Sequence, residues 1–334
     1  MARLHFGLAI DFGSDAEPLD RRIDRLLPLL AEAERLGFES VSAGESYPTR
    51  GGFFHLPSPL LVLAALAPQT GLRLGTGVTL LPAWNPLRLA YDTAVLDRLS
   101  NGRVFLGAGA GNPGTWQRFG VAADRLATRL DETLQALKAL WRGEDGFTGD
   151  TVQVLGPIRP LPVQPGGPPI WLGGLVPRAA TRAARFADGW FAASNHRLDT
   201  VIEPQARRYR DALDGDGPPL VAANRFTVVA DSDAEARRVG GPAIEATLQL
   251  YAAMGGLADA DGKRLPAGDE PLVPQLDEAL LLLGQPDTVN RRLERYAAAG
   301  VTHLQLRIGP ADLADDAMLR SVRLLGEQVL PAWR

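Results

Sequence analysis

The chain has 334 residues, 46% of them hydrophobic and 22% charged, with a formal net charge of -4 and no cysteine. This composition excludes disorder and supplies a large core. The lack of a basic stripe argues against nucleic acid or anionic membrane as partners, and disulfides, thiolate metal sites and cysteine nucleophiles are impossible. The first apolar run breaks at Asp11, too soon for a signal peptide, and no run reaches the roughly 18 apolar residues of a membrane span, so a cytoplasmic protein is expected.

Strand-like and helix-like runs alternate along the chain. Leu4 to Ile10 reads as a strand, and Leu19 to Leu36 as a helix whose apolar positions recur at helical spacing and which stops at Gly37. Ser40 to Ala43 is a second strand. The loop Gly44 to Pro57 holds Glu45, Tyr47, Arg50 and His55, and a helix follows from Ser58 to Ala67 with Ser58 as expected N-cap. Leu72 to Val78 and Val104 to Ala108 are strands three and four, each running into glycine, with an amphipathic helix from Pro86 to Leu99 between them. Asp124 to Trp141 is a long helix.

Gly143 to Pro169 is rich in proline and glycine, with one brief strand signal at Val152 to Leu155, and reads as a small hairpin inserted on a barrel rim. Strands five to eight then follow at Ile170–Gly174, Gly189–Ala193, Arg225–Ala230 and His303–Ile308, separated by helices. A second irregular stretch, Gly255 to Pro274, lies between strands seven and eight. Eight strands alternating with helices make a (β/α)8 TIM barrel the expected fold, one domain over 1–334 with insertions near 143–169 and 255–274. An open doubly wound sheet is the alternative. Gly109, Gly111 and Gly114 fit G-x-G-x-x-G, but Pro113 interrupts it and no acid follows at the end of a second strand, so a dinucleotide fingerprint is disfavoured. No H-E-x-x-H and no clustered carboxylates support a metal.

Chemistry-bearing residues gather at the strand ends. Gly173, Gly174, Leu175, Val176, Pro177 and Arg178 close a strand and open a helix, where free backbone N–H groups, the helix dipole and a cation suit a phosphate; a tight turn with a solvated arginine uses the same residues. Glu45 places a carboxylate in the mouth, where burial would raise its pKa, and His55 titrates near neutrality, so these two are the candidate acid and base. His196 is a weaker candidate, while His5 and His303 lie on strands as structural residues.

The segments AEAERLGFESVSAGE, RLGTGVTLLPAWNPLRLAYDTAVLDRLSNGRVFLGAGAG, PPIWLGG, RAARFADGW and GQPDTVNRRLERYAAAGVTHLQLRI together resemble the bacterial luciferase-like monooxygenases, flavin- or deazaflavin-dependent barrel oxidoreductases. The resemblance implies reduced FMN with oxygen acting on a small organic substrate, and a separate flavin reductase as partner. Its alternatives are hydride transfer through the deazaflavin coenzyme F-420 and a flavin-binding protein without turnover. It also implies a non-proline cis peptide at Thr76-Gly77-Val78, between Gly77 and Val78, as support for the flavin ring. Gly109, Ala110 and Gly111 would admit the ring, and Asn112 would bond its edge. Several sugar-phosphate and deazaflavin members carry Asp-His after strand two and Glu after strand four; here those places hold Glu45-Ser46 and Asn112.

Two expectations concern surfaces. Helices Ser58–Ala67 and Pro86–Leu99 carry more apolar positions than one barrel-facing stripe needs, and relatives pair through this region, so a homodimer is expected. The two irregular stretches are candidate lids, with Gly255 to Pro274 expected to move over the mouth.

Overall fold

The structure is a computed structural model that describes residues 3–11, 18–47, 56, 58–215, 217–309 and 313–334. Eight parallel strands close on themselves: β1 (His5–Ile10), β2 (Ser40–Ala43), β3 (Arg73–Thr76), β4 (Val104–Gly109), β5 (Ile170–Gly173), β6 (Gly189–Ala192), β7 (Val221–Val229) and β8 (His303–Arg307). Each pairs with its neighbours in sequence, and β8 closes the ring on β1 with His5 opposite His303 and Ala9 opposite Arg307. Helices α1 (Leu19–Arg35), α2 (Pro59–Leu66), α3 (Pro86–Leu99), α4 (Leu126–Trp141), α5 (Pro177–Phe186), α6 (Glu203–Asp211), α7 (Asp233–Ala253), α8 (Pro286–Ala298) and α9 (Asp315–Leu324) form the outer layer. The barrel expectation holds, and the open sheet is excluded by the β1–β8 pairing.

Alternation decides what fills the barrel. At its N-terminal end Phe105 stacks on Trp171 with ring centroids 4.0 Å apart, and His5 stacks on His303 at 4.5 Å. Burial pushes the His303 pKa down to about 3, and the His5 ring stacked on it bonds the Glu39 carboxylate at 2.8 Å. Gly75 must lack a side chain, because a Cβ there would lie 1.8 Å from the Phe105 ring. Above this plug the interior positions shrink to Gly7, Ser42, Gly107 and Gly109, and the C-terminal half of the barrel opens into a cavity.

Several local expectations are corrected. Ser58 precedes α2 but its side chain makes no capping bond; Asn85 caps α3 instead, accepting from Leu87 and Arg88 N–H. A short helix (Pro113–Arg118), a helix (Val273–Leu280) and a strand (Leu281–Gly284), which pairs with the C-terminal half of β7, occupy stretches to which the sequence reading assigned no helix or strand. The first insertion does contain a hairpin, Gly146–Thr148 with Gln153–Leu155. It lies against the outside of α4, where Glu132 accepts bonds from Asp150, Thr151 and Val152 N–H, and no residue of 143–169 lines the cavity. The second insertion is internally bonded: Ala258 bridges Arg264, Glu245 accepts from Leu272 and Val273 N–H, and Asn195 Nδ2 donates to Gly256 O at 2.8 Å. None of its residues lines the cavity; Met254, just before it, does.

Candidate active site

The strand ends converge on a cavity of about 690 Å³. Glu45, Gly77, Val78, Gly109 to Asn112 and Gly173 to Val176, drawn from the ends of β2 to β5, line it together. The peptide between Gly77 and Val78 is cis, as expected. Glycine lets these loops press backbone to backbone. A Cβ on Gly44 would stand 3.0 Å from Gly77 O, one on Gly173 3.1 Å from Phe191 O, and one on Gly109 2.9 Å from a Val78 methyl. This side of the cavity is therefore a wall of main chain that a flat ring can approach.

Three expected residues fall elsewhere or act differently. Thr76 lies behind the wall, its hydroxyl donating to Gly107 O at 2.6 Å. Arg178 is exposed and off the wall; Arg182, one turn further along α5, lines the cavity and pairs with Asp131. Side chains on a helix lean toward its N-terminus, so the residue a turn in reaches back over the loop while Arg178 points past it. Asn112 reaches the cavity, but its Oδ1 accepts from Thr115 N–H at 3.1 Å and caps the short helix. His55 lies outside the described residues.

Glu45 is buried and lines the cavity. Its carboxylate accepts from Leu80 N–H at 2.8 Å, from Trp84 Nε1–H at 3.0 Å and from the Tyr47 hydroxyl, and its own N–H donates to Val78 O at 3.1 Å. Burial raises its pKa, opposed by those three bonds. The raised proton affinity matches expectation, while the three donors make Glu45 a clamp on the loop that carries Gly77 and Val78. His196 also lines the cavity. Burial, aided by the nearby Arg225 charge, pushes it down to about 3, so it is neutral, and its Nδ1 accepts from Ala193 N–H. Arg225 itself is fully buried and bonds Ala193 O, His196 O and the Tyr296 hydroxyl, which fixes the loop after β6.

Opposite the glycine wall stands a polar side that the sequence reading missed. Arg307, at the end of β8, donates to Asp11 Oδ2 at 2.6 Å and to the Tyr251 hydroxyl at 2.9 Å, and the Tyr251 hydroxyl lies 3.2 Å from Ser194 Oγ. Burial opposes the Arg307 charge, but Asp11 and Tyr251 more than offset this and hold its pKa above the ordinary value. Asn224 of β7 lines the cavity with its Oδ1 buried and without a hydrogen-bond partner among the described residues. The signal was the alternation in HLQLR, which puts His303, Gln305 and Arg307 on the interior face. No group of residues able to hold a metal occurs among the described residues.

The sequence profile of the luciferase-like monooxygenases matches residues 4–303. The chain belongs to the luciferase-like monooxygenase family. Over its whole length it is similar to the oxygenase component of the flavin-dependent trigonelline monooxygenase of Acinetobacter baylyi, with 27% identity covering 96% of this chain and 92% of that one. It is also similar to the F-420-dependent glucose-6-phosphate dehydrogenase of Amycolatopsis mediterranei, with 26% identity over 98% and 99%. Among solved structures, the monooxygenase RslO1 from Streptomyces bottropensis superposes with a TM-score of 0.85 at 26% identity, covering 99% of this chain and all of that one. The family thus contains both flavin-dependent oxygenases and deazaflavin-dependent dehydrogenases, and the cavity of this luciferase-like chain sits at the C-terminal mouth where barrel enzymes build their sites. Its main-chain wall, which any Cβ would fill, fits the flat ring that either branch would bind.

Proposed function

We propose that the chain is the oxygenase of a two-component system, receiving reduced FMN from a separate cytoplasmic reductase and oxidising a small, largely apolar substrate with molecular oxygen. Bound reduced FMN would supply the electrons that activate oxygen. Gly77, Val78 and Gly109 to Asn112 would hold the ring, and Gly173 to Val176, with the uncapped N-terminus of α5 behind them, would hold the phosphate. Leu172, Phe191 and Leu250 would add apolar surface to the cavity around the ring.

The observation that carries this reading over deazaflavin hydride transfer is the state of the positions after β2 and β4. Where the resemblance puts an acid–base pair in several deazaflavin members, Glu45 is tied by three donors and Asn112 by a helix cap. Neither offers a free group to take a proton from an alcohol. Titration of the purified protein with reduced FMN, oxidised FMN and coenzyme F-420 tests this: reduced FMN is expected to bind and to be consumed with oxygen faster when substrate is present. Binding of the deazaflavin alone would overturn the proposal.

A homodimer belongs to the same reading. Leu61 on α2 and Val95 and Leu99 on α3 stand 72%, 42% and 59% exposed on adjacent helices, an apolar face that a second copy would cover. The mass in solution should be that of a dimer, and Leu61→Lys with Leu99→Lys should give a monomer by light scattering.

A further inference from the structure

Along α6 and the turn before it the buried stripe is Ile202, Gln205, Ala206 and Tyr209, so a glutamine occupies a position that the helical spacing assigns to the core. Gln205 is 3% exposed and is not part of the cavity wall. Its Nε2–H donates to Leu175 O at 2.8 Å, while its Oε1 is buried without a hydrogen-bond partner among the described residues. Turning the amide over would set Oε1 against Leu175 O, two acceptors with no proton between them, so the unmatched acceptor is the consequence of the bond that is made. An apolar side chain of similar size would avoid that cost. Packing therefore does not explain the amide, and its effect on Leu175 does.

Leu175 belongs to the loop from Gly173 to Val176 that lines the cavity. The peptide between Leu175 and Val176 is trans, so its C=O and N–H point in opposite directions. With the carbonyl held toward α6, the Val176 N–H is turned to the cavity side, at the N-cap of α5, and it has no hydrogen-bond partner among the described residues. We infer that Gln205 is a positioning residue for the cofactor's phosphate, holding this peptide with its N–H, and not its carbonyl, toward the anion. The inference rests on the oxygenase reading for the identity of that cofactor as FMN. Without the Nε2 donor the peptide is free to turn, and a carbonyl facing the phosphate repels what the N–H attracts.

Anaerobic titration of the full chain tests this with reduced FMN, with reduced riboflavin, which has the same ring and no phosphate, and with reduced coenzyme F-420, a deazaflavin that carries a phosphate. The native chain should bind FMN more tightly than riboflavin. Gln205→Met and Gln205→Leu, which remove the donor at nearly equal volume, should each lose roughly five- to tenfold in FMN affinity, the worth of one hydrogen bond. Their riboflavin affinity and urea midpoint should stay native, whereas a merely structural residue would move both flavins together or the midpoint alone. Equal native binding of FMN and riboflavin, parallel losses for the two flavins, a native FMN-to-riboflavin ratio in a folded variant, or failure of both variants to fold would each overturn the inference. Binding of F-420 alone, weakened to the same degree in the variants at a native midpoint, defeats the oxygenase reading and keeps the role of Gln205. FMN binding whose preference over riboflavin survives in the variants defeats that role alone, and binding of none of the three defeats both.

Discussion

Two buried glutamates mark two regions that the same chemistry treats differently. Glu132, on the outer side of α4, accepts from the N–H groups of Asp150, Thr151 and Val152 at 2.7, 2.7 and 2.9 Å and from the Thr151 hydroxyl, and these bonds win against desolvation to hold its pKa at about 2. Glu45, in the mouth, gathers one backbone N–H, one indole N–H and one phenol, and there burial wins and the pKa rises. Both tie a neighbouring segment to a helix or strand end. The carboxylate outside is locked in its charged form by aligned backbone dipoles, whereas the one at the cavity keeps an affinity for a proton that depends on what surrounds it. A carboxylate in an active-site mouth is therefore to be judged by its donors before its position.

Removing each clamp separates the regions. Glu45→Ala leaves Leu80 N–H, Trp84 Nε1–H and the Tyr47 hydroxyl without their acceptor, and a loss of about 3 kcal/mol in unfolding free energy is expected, with weaker FMN binding because the 77–80 loop is released. Glu132→Ala should cost about 2 kcal/mol, since its hairpin lies nearer to water, and leave FMN affinity unchanged. Equal losses of FMN affinity in the two variants would erase the distinction. Within the mouth, Gly174→Val sets a Cβ 2.4 Å from the Ala179 Cβ and should weaken FMN binding by about 1–2 kcal/mol. Arg182→Ala should cost about 1 kcal/mol of FMN affinity and exposed Arg178→Ala less than about 0.5 kcal/mol. The reverse order would return the phosphate contact to Arg178.

The barrel was legible because parallel strands covered on both faces read as short, mostly apolar runs, and β2 to β5 end in or run into glycine. The strand Leu281–Gly284 was not, because Leu280 to Leu283 continue the apolar pattern of the preceding helix and four residues carry no period of their own. The glycine wall was legible for the same reason as the strands, since each of its glycines closes one. The polar side was not, because Asp11, Ser194, Tyr251 and Arg307 lie on four separate segments and only the closed barrel brings them together. Glu45 was found as a residue but its bonding was not foreseen, since its three donors come from positions 47, 80 and 84 and no local pattern announces them.

The smallest expected effect is in pH, and its sign distinguishes the two glutamates most directly. Glu132 has a folded pKa of about 2 against an ordinary 4.5, so its contribution to stability is present above about pH 4.5 and is lost as pH falls through 2. Glu45 has a raised folded pKa, so its contribution is present below the ordinary carboxylate range and is lost as pH rises through the raised value. Other depressed carboxylates, among them Glu32, Asp233 and Asp315, give the native chain an acid slope of the Glu132 kind. Each glutamate must therefore be read as a difference between native chain and variant. Urea unfolding measured from pH 3 to 7 should show the native-minus-Glu132→Gln difference growing as pH rises, and the native-minus-Glu45→Gln difference shrinking over the same range. Each change should be about 1 kcal/mol or less. Two differences that move in the same direction would mean that the Glu45 donors hold its charge as firmly as the hairpin holds that of Glu132, and the mouth would then contain a fixed anion instead of a titrating group.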